Sequence, residues 1–225
     1  GYLQNQKPDG NFGEGDEQFE AGHSTARFKV EGEAQAVMAH IEGKTSAQVK
    51  SIEKKKRTAA APAPFNTTSL MAAASAEGLT PARTMRIAES LYMDGYISYP
   101  RVDNTVYPSS LDLEGTVKKL MGNPAYADHC RELLSKDTLT PTRGKKETTD
   151  HPPIHPTNVA TPDDLPAAEF KLYNLVARRF LATLSDSAVV EGTKVDLDVS
   201  GETFVGRGDV LVKQGYRAIY PYGLK

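Results

Sequence analysis

The chain has 225 residues, enough for one large domain or two small ones with a core each. Hydrophobic residues are 39% and charged residues 25%, ordinary for a globular domain. No stretch approaches the ~20 apolar residues of a membrane-spanning helix. A net charge of −2 excludes a globally basic nucleic-acid binder, and a lone cysteine, Cys130, excludes an internal disulfide or a cysteine-based zinc ribbon. Gly1 in place of Met, and an end at Lys225 just after a strand-forming stretch, read as a piece excised from a longer polypeptide.

Residues 1–25 are rich in Gly, Asn, Gln and Asp, which predicts a loosely ordered or partner-dependent opening. Alternation from Ala26 to Glu31 predicts a strand with Phe28 and Val30 on one face. Glu33 to Ile41 predicts a short helix, and Ala47 to Lys55 a strand with Val49 and Ile52 inward. Composition changes at Thr58, where TAAAPAPFNTTS reads as a linker into a helical module. Thr68 or Ser69 is placed to cap a helix running to Glu77, with Gly78 as its left-handed terminal residue. Thr80-Pro81 opens the next helix, with Met85, Ala88, Leu91 and Tyr92 at helical spacing and Gly95 ending it.

Further helices are expected near Ser110–Met121 and from Asn123-Pro124. The longest is expected from Thr161-Pro162, with Phe170, Tyr173, Val176, Phe180 and Leu184 on one stripe. Beyond Ser187 the period becomes two. Thr193–Val199 and Thr203–Val212 flank Gly201 as a hairpin, and Tyr216–Tyr220 is expected as a third strand. The order is β-rich, helical, β-rich, as when a helical module is inserted into a β module whose two parts pair in space.

Three segments concentrate chemistry-bearing side chains. The first, GYISYPRVD, runs from Gly95 to Asp103. A phenol keeps its proton at neutral pH, so phosphoryl chemistry by a tyrosine needs a neighbouring cation and a base or metal. Arg101 offers permanently charged planar donors two residues from Tyr99. On the residues alone Tyr99 reads first as half-buried packing, Tyr96 as core, and Asp103 and Asn104 as turn-formers. The second, HPPIHPT, places His151 and His155 four apart. Its three prolines forbid a helix, so the segment is a stiff extended loop, either plain surface or a fixed anion or proton-transfer site. A zinc site would need further ligands such as His129 or Cys130. The third, PAPFNTTSL, ends on Ser69 and Leu70, a helix start that serves either ordinary capping or phosphate binding.

In this order and at these spacings the segments resemble the type IA DNA topoisomerases. The family shows a PxPF helix start, then LYxxGYI(T/S)Y, then HxxI(R/H)PT; this chain has PAPFNTTSL, LYMDGYISYPRVDNT and HPPIHPT. KLYNLVARRFLATL followed by a hairpin is similar to the family's return from its helical domain. The match runs from about Lys50 to Lys225 and is thin before that.

The resemblance implies that Tyr99 is a nucleophile forming a 5′-phosphotyrosyl link to one DNA strand. It implies that Arg101 contacts the scissile phosphate and that His151 binds DNA or phosphate. His155, which stands where bacterial members carry arginine, joins Thr157, Asp103 and Ser69 as candidate phosphate contacts from the same motifs. Val102 stands where Thr or Ser is usual. The implied fold is α+β: a β-rich arch domain from residues 1–61 and 188–225, with a helical winged-helix-like domain over 62–187 inserted into it.

The family's Mg²⁺ is held by a Toprim domain carrying a DxDxE cluster. No DxDxE occurs here; Asp196 and Asp198 read as the exposed face of the hairpin. No metal or cofactor site is therefore expected within these residues, and no DNA relaxation by them alone. The implied partners are single-stranded DNA and the other domains of the same polypeptide, with no membrane, in the cytoplasm at the nucleoid. The rival reading is a DNA-binding or architectural module without chemistry; a zinc hydrolase using the two histidines is a third.

Overall fold

A computed structural model of the chain describes residues 2–4, 18–25 and 27–222. The chain folds into two units, residues 1–58 with 189–213 and residues 59–188 with 214–225.

The first unit is a five-stranded sheet. Its strands are β1 (Tyr2–Gln4), β2 (Gln18–His23), β3 (Gln48–Ala59), β4 (Ala188–Val199) and β5 (Glu202–Lys213), in the order β1-β2-β5-β4-β3. β4 and β5 form the expected hairpin, with Val199 opposite Glu202. Its two turn residues, Ser200 and Gly201, both have positive φ (55° and 92°), the geometry that matches the twist of the flanking strands. β3 is the edge strand beside β4: the Ser51 hydroxyl donates to Asp196 at 2.8 Å, and Lys50 pairs with Asp198 at 3.6 Å. Lys194 also bonds Asp196, and these two donors hold its carboxyl below the usual range. Gly192 on β4 has a steric purpose, since a Cβ there would come 3.1 Å from the Asp209 carboxylate that Arg57 reaches from β3. Helix α1 (Glu31–Ile41) has no buried residue and is tied to the sheet through His40, 3.2 Å from Glu202, which His23 also contacts.

Several expectations change here. The opening residues contribute β1 and β2, which pair with each other and with β5; residues 5–17 lie outside the described residues. The expected strand from Ala26 is not formed: 27–30 bend directly into α1, and Phe28 instead stacks on His23 with ring centres 5.0 Å apart. Ala26 itself lies outside the described residues. Val49 and Ile52 do not point inward; they are exposed, because among the described residues no second layer covers that strand within the unit.

The second unit holds the core. Its helices are α2 (Thr67–Ala76), α3 (Pro81–Met93), α4 (Leu113–Leu120), α5 (Pro124–Leu134) and α6 (Ala167–Thr183). α6 is central: Leu172, Tyr173, Leu175, Val176, Phe180 and Leu181 are fully buried. Each such side chain contributes roughly 1.5–3 kcal/mol relative to exposure. Side chains cap four of the helices: Asn66, Thr80, Asp112 and Asn123 each accept a hydrogen bond from the first turn.

α2 is thus capped by Asn66, not by Thr68 or Ser69. Ser69 completes the cap by accepting the Asn66 N–H at 3.0 Å. α6 begins five residues beyond Thr161-Pro162. Thr161 instead closes a turn on the Asp164 carboxylate, and Pro166 bars helix at the residue before it. The strand expected over Tyr216–Tyr220 is a 3₁₀ turn, Gly215–Ala218. There Gly215 takes φ +51°, Tyr216 N–H bonds Asp186, and Tyr220 is buried with its hydroxyl on Arg179 of α6.

Candidate active site

α3 ends in a Schellman motif: Gly95 takes φ +77°, its N–H bonds Tyr92 O at 3.0 Å, and Tyr96 N–H bonds Leu91 O at 2.8 Å. The segment leaving that cap lies antiparallel to the proline-rich loop, with Ile97 opposite Pro156. Ser98 N–H donates to His155 O at 2.9 Å, His155 N–H donates to the Ser98 hydroxyl at 3.0 Å, and Thr157 N–H donates to Tyr96 O at 2.9 Å. On the loop's other side Ile154 bridges Phe65, its N–H donating to Phe65 O at 2.8 Å. The loop is therefore the middle of three extended segments.

The start of α2 closes the arrangement. The Thr67 hydroxyl donates to Pro100 O at 2.7 Å and accepts Val102 N–H at 2.9 Å, while Thr67 N–H donates to Val102 O at 2.9 Å. Residues 65–67, 97–102 and 154–157, far apart in sequence, thus form one hydrogen-bonded scaffold around Tyr99.

Tyr99 is half-buried within it. Its ring meets Tyr92 of α3 edge-on, centres 5.4 Å apart, and lies 4.8 Å from the exposed His151 imidazole. No described residue hydrogen-bonds its hydroxyl. Arg101 is exposed and turns back to α3, donating from Nε at 2.9 Å and from Nη2 to one oxygen of Glu89. Glu89 and Tyr92 are i,i+3 neighbours on α3, with Cβ atoms about 5–6 Å apart. One helical turn therefore holds both the tyrosine ring and the guanidinium.

The other expected contacts divide. Asp103 is exposed but its carboxylate is paired with Lys146. The Thr157 hydroxyl donates to Gly95 O at 2.9 Å, pinning the helix end, and the Ser69 hydroxyl belongs to the α2 cap. His155 is not on the Tyr99 face. It is 5% exposed, its Nδ1 donates to Pro153 O at 2.7 Å, and it packs against Tyr107 and Phe180. Burial pushes its pKa down, so it stays neutral, and a phosphate has no approach to it.

Four contributors were not singled out as site residues, although Tyr92, Thr67 and Asn104 lie within the quoted motifs. Glu89 and Tyr92 read as an ordinary helix face, and Thr67 as one hydroxyl among several. Asn104, nearly fully buried, donates to the carbonyls of Thr148 and His151 at 2.9 and 3.0 Å and so fixes the loop that carries His151. Only its Asn-after-Asp position hinted at a side chain bonding backbone.

Among the described residues no group of three His, Cys, Asp or Glu side chains is arranged to hold a metal. Two carboxylates beside the tyrosine segment, Glu89 and Asp103, are each engaged by a cation. These residues do not by themselves fit a magnesium ion.

The family described as DNA topoisomerase matches residues 7–225. The chain belongs to the type IA DNA topoisomerase family. It is 44% identical over 196 residues to DNA topoisomerase 1 of Archaeoglobus fulgidus, covering 87% of this chain and 29% of that protein. DNA topoisomerase 3-beta of Arabidopsis thaliana is 38% identical over 183 residues, covering 81% of this chain and 21% of that protein. The chain thus spans less than a third of the length of these relatives. Among solved structures, full-length topoisomerase I from Thermotoga maritima superposes with a TM-score of 0.63 at 23% identity, over 92% of this chain and 34% of that one, a likeness of fold.

Proposed function

We propose that these residues are the nucleophile-bearing part of a type IA topoisomerase that opens one DNA strand by transesterification. The Tyr99 oxygen attacks a backbone phosphorus, the bond from phosphorus to the 3′ oxygen breaks, and a 5′-phosphotyrosyl link forms. The phenol's proton leaves to a base, and the departing 3′ oxygen gains one. Attack by that 3′ hydroxyl reverses both bonds, so the energy of the phosphodiester is kept and no ATP is needed. Arg101 offers guanidinium N–H groups to the phosphoryl oxygens as negative charge grows on them. The exposed His151 lies against the nucleophile's ring, where it can contact the strand.

The observation that carries this reading is the shared scaffold. Three motifs separated in sequence converge through backbone and Thr67 hydrogen bonds, and the residue they surround is Tyr99. A tyrosine serving only as packing would not need its hydroxyl left unbonded at the surface of such a frame.

The β-rich unit corresponds in this reading to the arch, and the helical unit to the winged-helix-like domain. Magnesium, held by a Toprim domain elsewhere in the polypeptide, would supply electrophilic activation; among the described residues no group is arranged to hold it, so these residues alone are expected not to relax DNA. The substrate is a single strand, and the working location is the cytoplasm at the nucleoid.

The test is Tyr99→Phe in the complete polypeptide. Loss of strand cleavage with retained fold and single-strand binding is expected. Nuclease digestion of trapped enzyme followed by mass spectrometry should find a nucleotide on Tyr99. Cleavage surviving Tyr99→Phe would make the chain a binding module or move the chemistry elsewhere.

A further inference from the structure

The outer side of α3 carries a pattern that the cleavage reaction does not use. Arg83, Arg86, Glu89 and Tyr92 follow one another at intervals of three, so they form one oblique row, a ridge that winds about half-way round the helix, neighbouring Cβ atoms about 5–6 Å apart. The helix buries Thr84, Ile87, Ala88 and Leu91 on the opposite side, leaving both arginines exposed. The C-terminal half of the ridge is already occupied: Tyr92 packs on the Tyr99 ring, and Glu89 holds Arg101. The N-terminal half continues the line with two more guanidinium groups.

These two are unlike their neighbours. The exposed arginines described in the helical unit are Arg83, Arg86, Arg101, Arg131 and Arg143. Arg101, Arg131 and Arg143 each bond a carboxylate, Glu89, Asp128 and Glu147. Among the described residues nothing bonds the side chains of Arg83 or Arg86. The one carboxylate on α3, Glu89, is already held by Arg101. Neutralising Glu89 with Arg101 leaves the ridge with two uncompensated positive charges, in a chain whose net charge is −2.

We propose that this ridge is a backbone-tracking surface for single-stranded DNA, on which Arg86 and Arg83 take the phosphates next in line after the one at Arg101. The inference rests on Tyr99 being the nucleophile and extends its site along the strand. The ligand chemistry is a row of phosphodiesters rather than one anion, because Arg83 and Arg86 follow one another along the helix that holds Arg101 through Glu89, each leaving its guanidinium unpaired among the described residues. The contacts carry no base specificity: they fix register, placing one phosphate opposite the tyrosine.

The experiment uses the complete polypeptide and single-stranded oligonucleotides containing a cleavage site. Arg83→Ala/Arg86→Ala is compared with Arg83→Lys/Arg86→Lys and with the parent. Each phosphate neutralised on a single strand contributes about 0.7 to the slope of log affinity against log salt, so the alanine pair should lower that slope by roughly 1.4. Affinity at low salt should fall about tenfold, equally across sequences, and the lysine pair should keep most of both. Shortening the oligonucleotide from one end of the cleavage site should abolish the difference between variant and parent; shortening from the other end should not. Both side chains are exposed, so an unchanged thermal midpoint confirms the fold. An unchanged slope, or a loss that ignores which end is shortened, overturns the ridge while leaving Tyr99 standing. An adduct mapped to a residue other than Tyr99 removes the anchor and overturns both.

Discussion

Replacing Thr67 by valine removes one oxygen and keeps the side chain's shape. That oxygen donates to Pro100 O at 2.7 Å and accepts Val102 N–H at 2.9 Å, so it grips both sides of Arg101. Losing a hydrogen bond costs about 0.5–1.5 kcal/mol net, and stranding the N–H of a buried residue about 1–3 kcal/mol. The site is only part-buried and water will enter it, which favours the lower half of these ranges. The expected cost is about 2–3 kcal/mol. At about 2–4 °C per kcal/mol for a unit of this size, the helical unit's melting transition should fall by roughly 5–10 °C. Thr67→Ser restores the oxygen and should melt within a degree or two of the parent. Differential scanning calorimetry on both variants measures this, and covalent-adduct formation on a suicide oligonucleotide measures the consequence at Tyr99. A loosened 99–102 segment should slow the adduct by at least about tenfold, because small misplacements of reacting groups are costly. Valine and serine variants that melt together and react alike would show that the clamp contributes nothing.

Two further outcomes follow from the same geometry. Glu89→Ala should leave melting little changed, since the Glu89–Arg101 pair is half-exposed. It should slow adduct formation about tenfold by freeing the guanidinium, with Glu89→Gln intermediate because its amide oxygen still accepts; single-turnover cleavage assays compare them. His155 and His129 both have pKa values held below the usual 6.5 by burial, so the unfolded chain takes up protons first as pH falls. Stability from these two is complete above about pH 6.5 and declines below it, levelling once pH passes their folded values. Urea unfolding from pH 8 to 5 should show this decline, and His155→Gln should flatten it; an unchanged slope in that variant would refute the assignment.

Features whose cause lies within a few residues were legible in the sequence. Thr80-Pro81 and Gly95 bracket α3 as expected, and the period-two pattern around Gly201 yields the β4–β5 hairpin. Where several local solutions compete, sequence alone chose less well. Asn66 outcompetes Thr68 and Ser69 as a cap because its carboxamide reaches the Ser69 N–H while Ser69 answers its own. Tyr216–Tyr220 alternates like a strand, yet no strand edge is taken there, and burying Tyr220 against α6 decides its conformation. Val49 and Ile52 carry strand character, and among the described residues no layer covers them.

At the candidate site, the tyrosine, the arginine and the two-histidine loop were recognisable as motifs, whereas what binds them to each other was not. Nothing in the order of residues says that Glu89, ten positions before Tyr99, will hold Arg101. Nor does it say that of two histidines four apart, one will lie on the tyrosine ring and the other inside the core. Such facts depend on how separate segments meet.

The helix cap at Gly95 has a mechanical meaning. Because Tyr96 N–H is bonded back to Leu91 and Thr157 pins the Gly95 carbonyl, the few residues from α3 to Tyr99 have no slack. A rotation of α3 would carry Tyr99, Arg101, Arg83 and Arg86 together, like jaws machined from one block. On the proposed function, a strand held along those arginines would move with its severed end still aligned, and resealing would require no search.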